Sequence, residues 1–363
     1  MSAIPSTAAR DALVERLFQA AVATFDLFSV YLGDRLGLYR ALAECGSSTA
    51  GELAQAADID ARYAREWLEQ QSATGNLGVE NQQEEPDRRR FFVPPGHEEV
   101  LIDETSLHFA ASLAQSAIAC ARPIDALVAA FKSGEGLTFD GYGPDAQQSQ
   151  ARSTRPMFER LLGSEWLPSI PELHERLSAD PPARVADVAC GCGWSSISLA
   201  RAYPKISVEG IDLDQESIDQ AQRNLAGSDV EGRVRFHCRD AADAAFLERF
   251  DLVTIFEALH DMARPVDVLQ TVRGMLTGSG FVFIGDERTE DSFTAPAPDR
   301  ERLYYGFSIM TCLPSAMVGS DPAGTGTVMR AATLRHYGTE AGFTRVDVLP
   351  VENDSWRFYL LAE

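Results

Sequence analysis

The sequence predicts an α/β fold, in which a mostly helical N-terminal region precedes a mostly parallel sheet of seven strands. Beyond Pro181-Pro182, apolar strand-like runs alternate with helical segments, which is typical of parallel βαβ units with right-handed crossovers. Before that break, apolar residues recur at helical spacing. We therefore expect a helical domain over residues 1–100, a helical connector over 101–180 and an α/β domain over 181–363.

The N-terminal region begins with a long helix that has a wide apolar face. The residues on this face recur three, four and seven positions apart. They are Leu13, Val14, Leu17, Phe18, Ala21, Val22, Phe25 and Phe28. Because the face is wider than one domain needs, we expect it to be buried against a partner chain as well, which indicates a homodimer.

Three short helices and two short strands follow, in the order of a winged helix. Thr49 with Glu52 forms a capping-box pattern, and Asp60 can cap the third helix. NLGVE and RRFFVP read as strands joined by the polar loop NQQEEPDR. A DNA-binding winged helix reads bases with its third helix. Here that helix is charge-balanced and carries Arg62, Arg65, Glu66 and Glu69.

Composition limits the classes of function. The 363-residue chain has a net charge of −22, which opposes binding to nucleic acid phosphates. No apolar run reaches the roughly 18 to 20 residues that span a bilayer, and MSAIPSTAARDALVER lacks the pattern of a signal peptide, so we expect a cytoplasmic protein. The six cysteines show neither C-x-x-C pairs nor zinc-finger histidine spacing, so we expect reduced thiols and no metal site.

Seven strands are expected in the C-terminal domain. They are ARVADVA, ISVEGIDL, VRFHCRD, DLVTIFEAL, GFVFIGDE, RVDVLPVE and WRFYLLAE. Helical segments follow the first, second and fourth of these strands, as the crossovers of a parallel sheet require. The short link between the last two allows an antiparallel hairpin at the edge of the sheet.

A glycine turn follows the first of these strands, in VADVACGCGWSSISLA. Gly191 and Gly193 lie between the strand and a helix, and Asp212 ends the next strand 19 residues after Gly193. This layout is typical of a nucleotide-binding turn with a ribose-binding carboxylate. The third glycine of the dinucleotide fingerprint is missing, and Asp187 within the strand suits a ligand with a positive amino group better than a pyrophosphate.

The pattern D-x-A-C-G-x-G, followed by GIDLD, CRDAAD and FDLVTIFEALHD, resembles the class I S-adenosylmethionine-dependent methyltransferases over residues 183–363. The N-terminal part resembles the winged-helix dimerisation domain of small-molecule O-methyltransferases. LGDRLGLYRAL, ARYAREWLEQQ and RPMFERLLGSEWLP resemble actinobacterial two-domain methyltransferases. The resemblance implies a Rossmann-like sheet, S-adenosylmethionine as cofactor and S-adenosylhomocysteine as product.

The resemblance also implies roles for individual residues near the methionine part of the cofactor. Asp187 would reach the amino end of the cofactor, directly or through water. Phe256 and Glu257 would line the face on which the methyl group is transferred. The turn residues whose backbone would pass close to the cofactor are Ala189, Gly191 and Gly193, with Ala189 standing where the family usually has glycine.

Other residues would bind the adenosine part. Asp212 would bind the ribose hydroxyls and Leu213 would lie against the adenine. Asp240, followed by Ala241, would meet the adenine amino group, with Asp243 as an alternative. For Asp212, the alternative to cofactor binding is a plain helix cap.

His260 and Asp261 follow the fourth strand, at the carboxyl edge where open α/β sheets bind ligands. A histidine with a pKa near neutrality can accept a proton from an acceptor hydroxyl. In the related O-methyltransferases a His-Asp pair often stands here, which implies that His260 is the general base and that Asp261 organises the loop. The alternative is that His260 caps a helix or packs in the loop, and that catalysis proceeds by positioning alone.

The acceptor pocket is less well defined by the sequence. The connector and a long insertion at 288–328, rich in aromatic residues, Met and Pro, are expected to contribute to it, the insertion as a lid. Candidate lining residues are His108, Tyr142, Arg155, Tyr304 and Tyr305.

Three functions are compatible with these patterns. The first is methyl transfer to a small aromatic or apolar acceptor resembling a natural product, on oxygen or else on nitrogen or carbon. The second keeps the fold and cofactor for hydroxylation, decarboxylation or rearrangement. The third is a regulator in which the winged helix binds DNA and the C-terminal domain senses a ligand.

Overall fold

The computed structural model describes residues 6–241, 246–247 and 249–363. The chain forms two compact units, residues 1–118 and 119–363. The expected connector, 101–180, is therefore divided between the two units. Within the described ranges, no single helix is long and apolar enough to cross a membrane, and one bent pair of helices, Ala111–Ala121 with Ile124–Ser133, passes that test by length and composition.

The first unit has the predicted winged-helix order. Strands β1 (Gly78–Val79) and β2 (Phe91–Phe92) pair antiparallel. Its core includes the fully buried side chains of Leu42, Leu53 and Leu68. The helices are α1 (Ser6–Arg35), α2 (Leu38–Cys45), α3 (Ala50–Ala57), α4 (Ala61–Ala73), α5 (His97–Leu101) and α6 (Ala111–Ala121), which runs into the second unit.

Both predicted helix caps are present in this unit. The Thr49 backbone N–H donates to Glu52 Oε2 at 2.8 Å, and the Glu52 N–H donates to Thr49 Oγ1 at 3.3 Å, so the capping box is confirmed. Asp60 Oδ1 accepts from the backbone N–H groups of Arg62 at 2.8 Å and Tyr63 at 3.2 Å. These bonds satisfy amides that a helix leaves unpaired at its start.

Helix α1 has 30 residues, and most of its apolar face is exposed in the single chain. Leu17 is 62% exposed, Phe18 60% and Phe25 67%. The C-terminal part of α1 instead contacts its own unit, where Trp67 Nε1 of α4 donates to the Ser29 carbonyl oxygen at 3.0 Å. The N-terminal part of α1 therefore has a large apolar surface that its own unit does not cover.

The second unit contains the predicted seven-stranded sheet. The strands are β3 (Arg184–Val188), β4 (Ser207–Asp212), β5 (Val234–Cys238), β6 (Phe250–Phe256), β7 (Leu276–Glu287), β8 (Arg345–Val348) and β9 (Trp356–Ala362). Their order is β5-β4-β3-β6-β7-β9-β8, parallel from β5 to β7, and β9 pairs antiparallel with both β7 and β8. The Rossmann-like sheet and its C-terminal hairpin are thus confirmed.

Helices cover both faces of this sheet. The helices of this unit are α7 (Ile124–Ser133), α8 (Pro144–Met157), α9 (Pro171–Ser178), α10 (Trp194–Ala202), α11 (Gln215–Leu225), α12 (Pro265–Met275), α13 (Asp299–Phe307), α14 (Leu313–Ala316) and α15 (Ala331–Glu340). Alternate residues of β3 enter two different cores: Val185 packs in one, and Ala186 and Val188 pack in the other. Strand order reverses on either side of β3, so the carboxyl ends of β3 and β6 form the switch point where such sheets bind ligands.

Candidate active site

The glycine turn after β3 is bonded to the end of β4. Ala189, Gly191 and Gly193 all have left-handed backbones, with φ of 57°, 51° and 81°. The Gly191 N–H donates to Asp212 Oδ2 at 2.8 Å. A Cβ placed on Gly191 would meet no atom within 4 Å, so this part of the turn faces open space that a ligand can enter.

Gly193 has a packing role that the sequence did not indicate. A Cβ at this position would lie 2.4 Å from Phe236 Cζ and 2.9 Å from Ala221 Cβ. Gly210 on β4 is confined by the same ring, with its Cβ position 2.5 Å from Phe236 Cδ1. Gly193 therefore lets the start of α10 pack closely against β5 and α11.

The two cysteines of the turn are buried thiols. Burial raises the pKa of Cys190 well above its usual value and the pKa of Cys192 to about 11. Both therefore stay protonated at neutral pH, and among the described residues neither belongs to a group of three side chains spaced for a metal ion. They act as small apolar side chains within the turn.

Asp187 is a buried hydrogen-bond acceptor below the turn. It is 1% exposed, and its Oδ2 accepts from Ser195 Oγ at 2.5 Å and from Ser196 Oγ at 2.6 Å. Its Oδ1 accepts from Thr254 Oγ1 at 2.7 Å. Burial raises its pKa, opposed by these three hydroxyl groups. Asp187 thus joins β3, β6 and the first turn of α10, and its contact with a cofactor amino group stays a prediction.

At the end of β4, a carboxylate lies next to an exposed apolar side chain. Asp212 Oδ1 accepts from the Asp214 N–H at 2.9 Å, while Oδ2 receives the Gly191 bond described above. Burial raises the pKa of Asp212, and these backbone bonds oppose the rise. Leu213 is 74% exposed. The pair offers hydrogen-bond acceptors for ribose hydroxyls beside an apolar surface for a purine ring.

The predicted adenine-binding residues follow β5. Asp240 is exposed, and Ala241 is half-buried against the second core. Asp243, the alternative to Asp240, lies outside the described residues. Their role in adenine binding stays a prediction.

Glu257, directly after β6, is held in a left-handed conformation with φ of 47°. Trp356 Nε1 donates to its Oε1 at 2.5 Å, and Gln150 Nε2 donates to its Oε2. Burial raises its pKa to about 7. Phe256 before it packs against the ring of Trp356. A strained residue at a strand end is typical of binding and catalytic sites.

His260 lies in a short turn after β6 and is surrounded by carboxylates. It is 2% exposed, and its Nδ1 lies 2.7 Å from Asp286 Oδ1 and 3.1 Å from Glu287 Oε2. Its Nε2 lies 3.1 Å from Asp261 Oδ1. We assign the Nδ1 proton to the bond with Asp286, since a carboxylate can only accept it.

These neighbours set the protonation of the cluster. Burial lowers the pKa of His260, but Asp286, Glu287 and Asp261 together raise it well above its usual value. Burial likewise opposes ionisation of Asp286, but the imidazolium holds the pKa of that carboxyl below its usual value. Burial raises the pKa of Glu287 well above its usual value. At neutral pH the cluster therefore holds an imidazolium against the Asp286 carboxylate.

Comparison with protein families finds one match within each unit. Residues 185–280 match the family model of a methyltransferase domain. The chain contains a methyltransferase domain. Residues 23–104 match an Rv2258c-like winged HTH domain. These matches confirm the predicted S-adenosylmethionine-dependent methyltransferase domain behind an N-terminal winged helix.

Individual relatives agree with this assignment. The 27-O-demethylrifamycin SV methyltransferase of Amycolatopsis mediterranei (strain S699) is 27% identical over 171 residues, which are 47% of this chain and 58% of the relative. Human N-acetylserotonin methyltransferase, solved with S-adenosylmethionine, superposes with a TM-score of 0.72 at 15% identity, over 100% of this chain and 99% of that one. Mitomycin 7-O-methyltransferase MmcR gives 0.68 at 18% identity, over 99% and 100%. The structural matches establish a shared fold.

Sequence reasoning missed two residues of the methyltransferase domain that contact His260. Asp286 and Glu287 end β7, which is paired in parallel with β6. Because parallel strands end at the same edge of a sheet, the letters DE at the end of GFVFIGDE were the signal that could have placed them beside His260. Cys312 also lies near His260, but it comes from the 288–328 insertion and no local pattern indicates it.

The insertion packs against the His260 loop. The Gly326 N–H donates to the His260 carbonyl oxygen at 3.0 Å, and the Ala323 N–H donates to the Ala263 carbonyl oxygen at 2.8 Å. These bonds fix one end of the insertion beside the catalytic candidate. Its role as a lid over an acceptor stays a prediction.

Four of the five candidate acceptor-binding residues have a described contact within the second unit. Tyr142 is fully buried, and its hydroxyl donates to the Met310 carbonyl oxygen at 2.8 Å. The Tyr304 hydroxyl donates to the backbone carbonyl oxygen of Ser355 at 2.7 Å. Tyr305 Oη accepts from Arg330 Nη2 at 3.1 Å. The Arg155 guanidinium lies 3.9 Å from the centre of the Trp194 ring. His108 is exposed and belongs to the first unit. The acceptor-binding role of these five residues stays a prediction.

Proposed function

We propose that this protein transfers a methyl group from S-adenosylmethionine to an oxygen of a small aromatic or apolar acceptor. One observation carries the proposal: the Gly191–Asp212 turn and the His260 cluster lie on strands that end at the same edge of the sheet. The methyltransferase domain supports the cofactor. The names of the rifamycin and mitomycin enzymes specify oxygen, which supports oxygen as the acceptor atom.

The residues at the ends of β3 and β4 fit the cofactor. The open space at Gly191 admits its methionine part, the half-buried Asp212 carboxylate accepts from its ribose, and the exposed Leu213 covers its adenine. When bound, the cofactor supplies an activated methyl group on a sulfonium and leaves as S-adenosylhomocysteine. Glu257, Asp240 and Asp187 complete the proposed binding surface.

His260 is the proposed general base. Asp286 holds the Nδ1 proton, so Nε2 is the atom that takes the proton from the acceptor hydroxyl as the new O–CH3 bond forms. Asp261, 3.1 Å from Nε2, stabilises the imidazolium that results. Because the surrounding carboxylates raise the pKa of His260, its uncharged form becomes more abundant as pH rises, and we expect turnover to increase above neutral pH.

The insertion is the proposed acceptor cover. It presents exposed apolar side chains, including Phe293 at 72%, Leu303 at 49% and Ile309 at 46%, and its residues 323 and 326 bond the His260 loop. Apolar surface with a few polar groups is typical of pockets for small organic ligands. This supports an aromatic or apolar acceptor.

A turnover assay tests the proposal. The protein is incubated with S-adenosylmethionine and a panel of phenols and other small hydroxylated aromatics, and S-adenosylhomocysteine is measured by mass spectrometry. We expect stoichiometric S-adenosylhomocysteine and methyl ether, and a loss of about 10²–10⁴-fold in kcat for His260→Gln. His336→Gln, on the exposed face of α15, is the matched control and should keep full turnover. Unchanged turnover in His260→Gln would show that His260 is not the general base.

The same assay separates the alternative chemistry. An enzyme recruited for hydroxylation, decarboxylation or rearrangement would change its substrate without releasing S-adenosylhomocysteine. No observed contact favours this alternative over methyl transfer.

The regulator hypothesis is disfavoured by the charges on α4. Arg62 pairs with Glu66, and Arg65 Nη1 lies 3.2 Å from Asp87 Oδ1. Arg89 Nη1 lies 2.7 Å from Glu69 Oε1. Phosphates would have to displace these carboxylates in a chain of net charge −22. A gel shift with duplex DNA at low salt should show no retardation.

A homodimer is also part of the proposal. The exposed apolar face of α1 is the kind of contiguous surface that marks a protein interface. A second copy of the chain offers the same face, as two-fold symmetry requires.

A further inference from the structure

We propose that His260, Asp261 and Cys312 form a Zn²⁺ site, and that an ion bound there inhibits the enzyme by occupying His260 Nε2. Binding of the ion is independent of the proposed function. Inhibition rests on that function, since it requires His260 to be the general base.

The three side chains present a suitable set of ligand atoms. One atom from each residue, an imidazole nitrogen, a carboxylate oxygen and a thiol sulfur, lies within 4.8 Å of the other two. Zn²⁺ binds such ligands at about 2.0–2.3 Å in a tetrahedron. Nitrogen with sulfur favours Zn²⁺ over Mg²⁺ or Ca²⁺, which prefer oxygen ligands.

The imidazole is already oriented for metal binding. Its Nδ1 lies 2.7 Å from Asp286 Oδ1, and Asp286 is 1% exposed. A carboxylate that holds the second ring nitrogen is a regular feature of zinc-bound histidines, because it fixes the tautomer and the ring plane. Nε2 is then the free ligand atom, and it faces Asp261.

Cys312 is held in place by bonds on neighbouring residues. The Tyr142 hydroxyl donates to the Met310 carbonyl oxygen at 2.8 Å, and Cys120 Sγ lies 3.0 Å from Thr311 Oγ1. The segment that carries Cys312 is therefore fixed close to His260 and Asp261. The side chain of Asp261 is 29% exposed, so an ion can reach this carboxylate from solvent.

A second group, His260 with Asp286 and Glu287, has comparable spacing, but it uses the buried Nδ1 that already bonds Asp286. The Nε2 side is therefore the better site. Three protein ligands leave a fourth position for water. Zn²⁺ binding displaces the Cys312 thiol proton and the Nε2 proton to solvent, and the coordinated nitrogen can no longer take a proton from an acceptor.

Titration with Co²⁺, a spectroscopic substitute for Zn²⁺, tests the site in the full-length protein without cofactor. We expect one equivalent to give a near-ultraviolet thiolate band that Zn²⁺ removes. Cys312→Ser should abolish the band, whereas Cys45→Ser, which changes an exposed cysteine in the other unit, should leave it unchanged. Asp286→Asn should weaken Zn²⁺ binding about 10–100-fold through the orientation of the ring.

Asp261→Asn provides a second test on a partly exposed ligand, should Cys312→Ser fold poorly. A band that persists in Cys312→Ser, an unchanged Co²⁺ affinity in Asp261→Asn, or no band in the unaltered protein overturns the site. In the turnover assay, Zn²⁺ should inhibit reversibly and a chelator should restore the rate. Binding without inhibition would overturn the regulatory part alone, and failure of methyl transfer would leave the Co²⁺ result unaffected.

Discussion

Replacing Asp286 with asparagine tests the electrostatics of the His260 cluster. Asparagine keeps an oxygen that can accept the Nδ1 proton but removes the negative charge 2.7 Å from the ring. An opposite charge at this range shifts a pKa by about 1–3 units. Glu287 and Asp261 stay in place, so part of the elevation persists. We therefore expect the pKa of His260 to fall by about 1–3 units, equivalent to about 1.4–4 kcal/mol.

The pKa can be measured without knowing the acceptor. The protein has six histidines, and their imidazole signals can be followed by NMR in ¹⁵N-labelled protein across a pH titration. His260→Gln assigns the signal. His336, which faces Glu340 on α15, is an internal reference whose signal should be the same in both proteins.

Asp286→Asn should also lower the free energy of unfolding, by an amount that depends on pH. Because folding raises the pKa of His260, its bond to Asp286 stabilises the native state below the unfolded pKa of about 6.5, and this contribution is lost as pH rises through the folded pKa. The stability difference between the two proteins should therefore shrink at alkaline pH. An unchanged or higher pKa of His260 in Asp286→Asn would refute the reasoning.

Two further predictions concern packing and assembly. Gly193→Ala should lower the free energy of unfolding by about 2–5 kcal/mol, of which about 1–2 kcal/mol comes from the left-handed backbone and about 1–3 kcal/mol from the clash with Phe236. Gly191→Ala places its Cβ in open space, so it should lower the free energy of unfolding only by the backbone contribution of about 1–2 kcal/mol. Equal melting temperatures for the two variants would contradict this. Light scattering should give a mass of twice 39.6 kDa for the native protein. Phe18→Ser should shift the protein toward monomer, whereas Tyr63→Ser, which changes a side chain that is 79% exposed on α4, should leave the dimer intact. A monomeric native protein at micromolar concentration would exclude the dimer.

Much of the fold could be predicted because local signals and global topology agree. The alternation of buried strands and capped helices determined the parallel sheet, and Thr49 and Asp60 marked helix starts through side-chain hydrogen bonds. Strand ends were less predictable. Strand β7 begins at Leu276, directly after α12 ends at Met275, because Leu276 pairs with Phe250 ahead of an irregularity in the register. The π-helical stretches Phe158–Trp166 and Ser308–Cys312 had no local signal, because they depend on tertiary packing.

The site was predictable where it depends on strand ends and not where it depends on distant segments. Asp212 and His260 follow apolar strands, so the sequence indicated both. Trp356 lies 99 residues from Glu257, and its indole bond to that carboxylate could not be read from either segment. The packing role of Gly193 likewise depends on Phe236, which only the folded sheet brings close.

Isothermal titration calorimetry with S-adenosylhomocysteine tests the central claim most directly. We expect one site per chain in the native protein and an affinity about 10–100-fold lower in Asp212→Ala, because that variant lacks the carboxylate proposed to accept charge-assisted hydrogen bonds from the ribose. Asp229→Ala, which removes an exposed carboxylate paired with Arg201, should bind like the native protein. Absence of binding by the native protein, or equal affinity in Asp212→Ala, would contradict the assignment of this turn as the cofactor site.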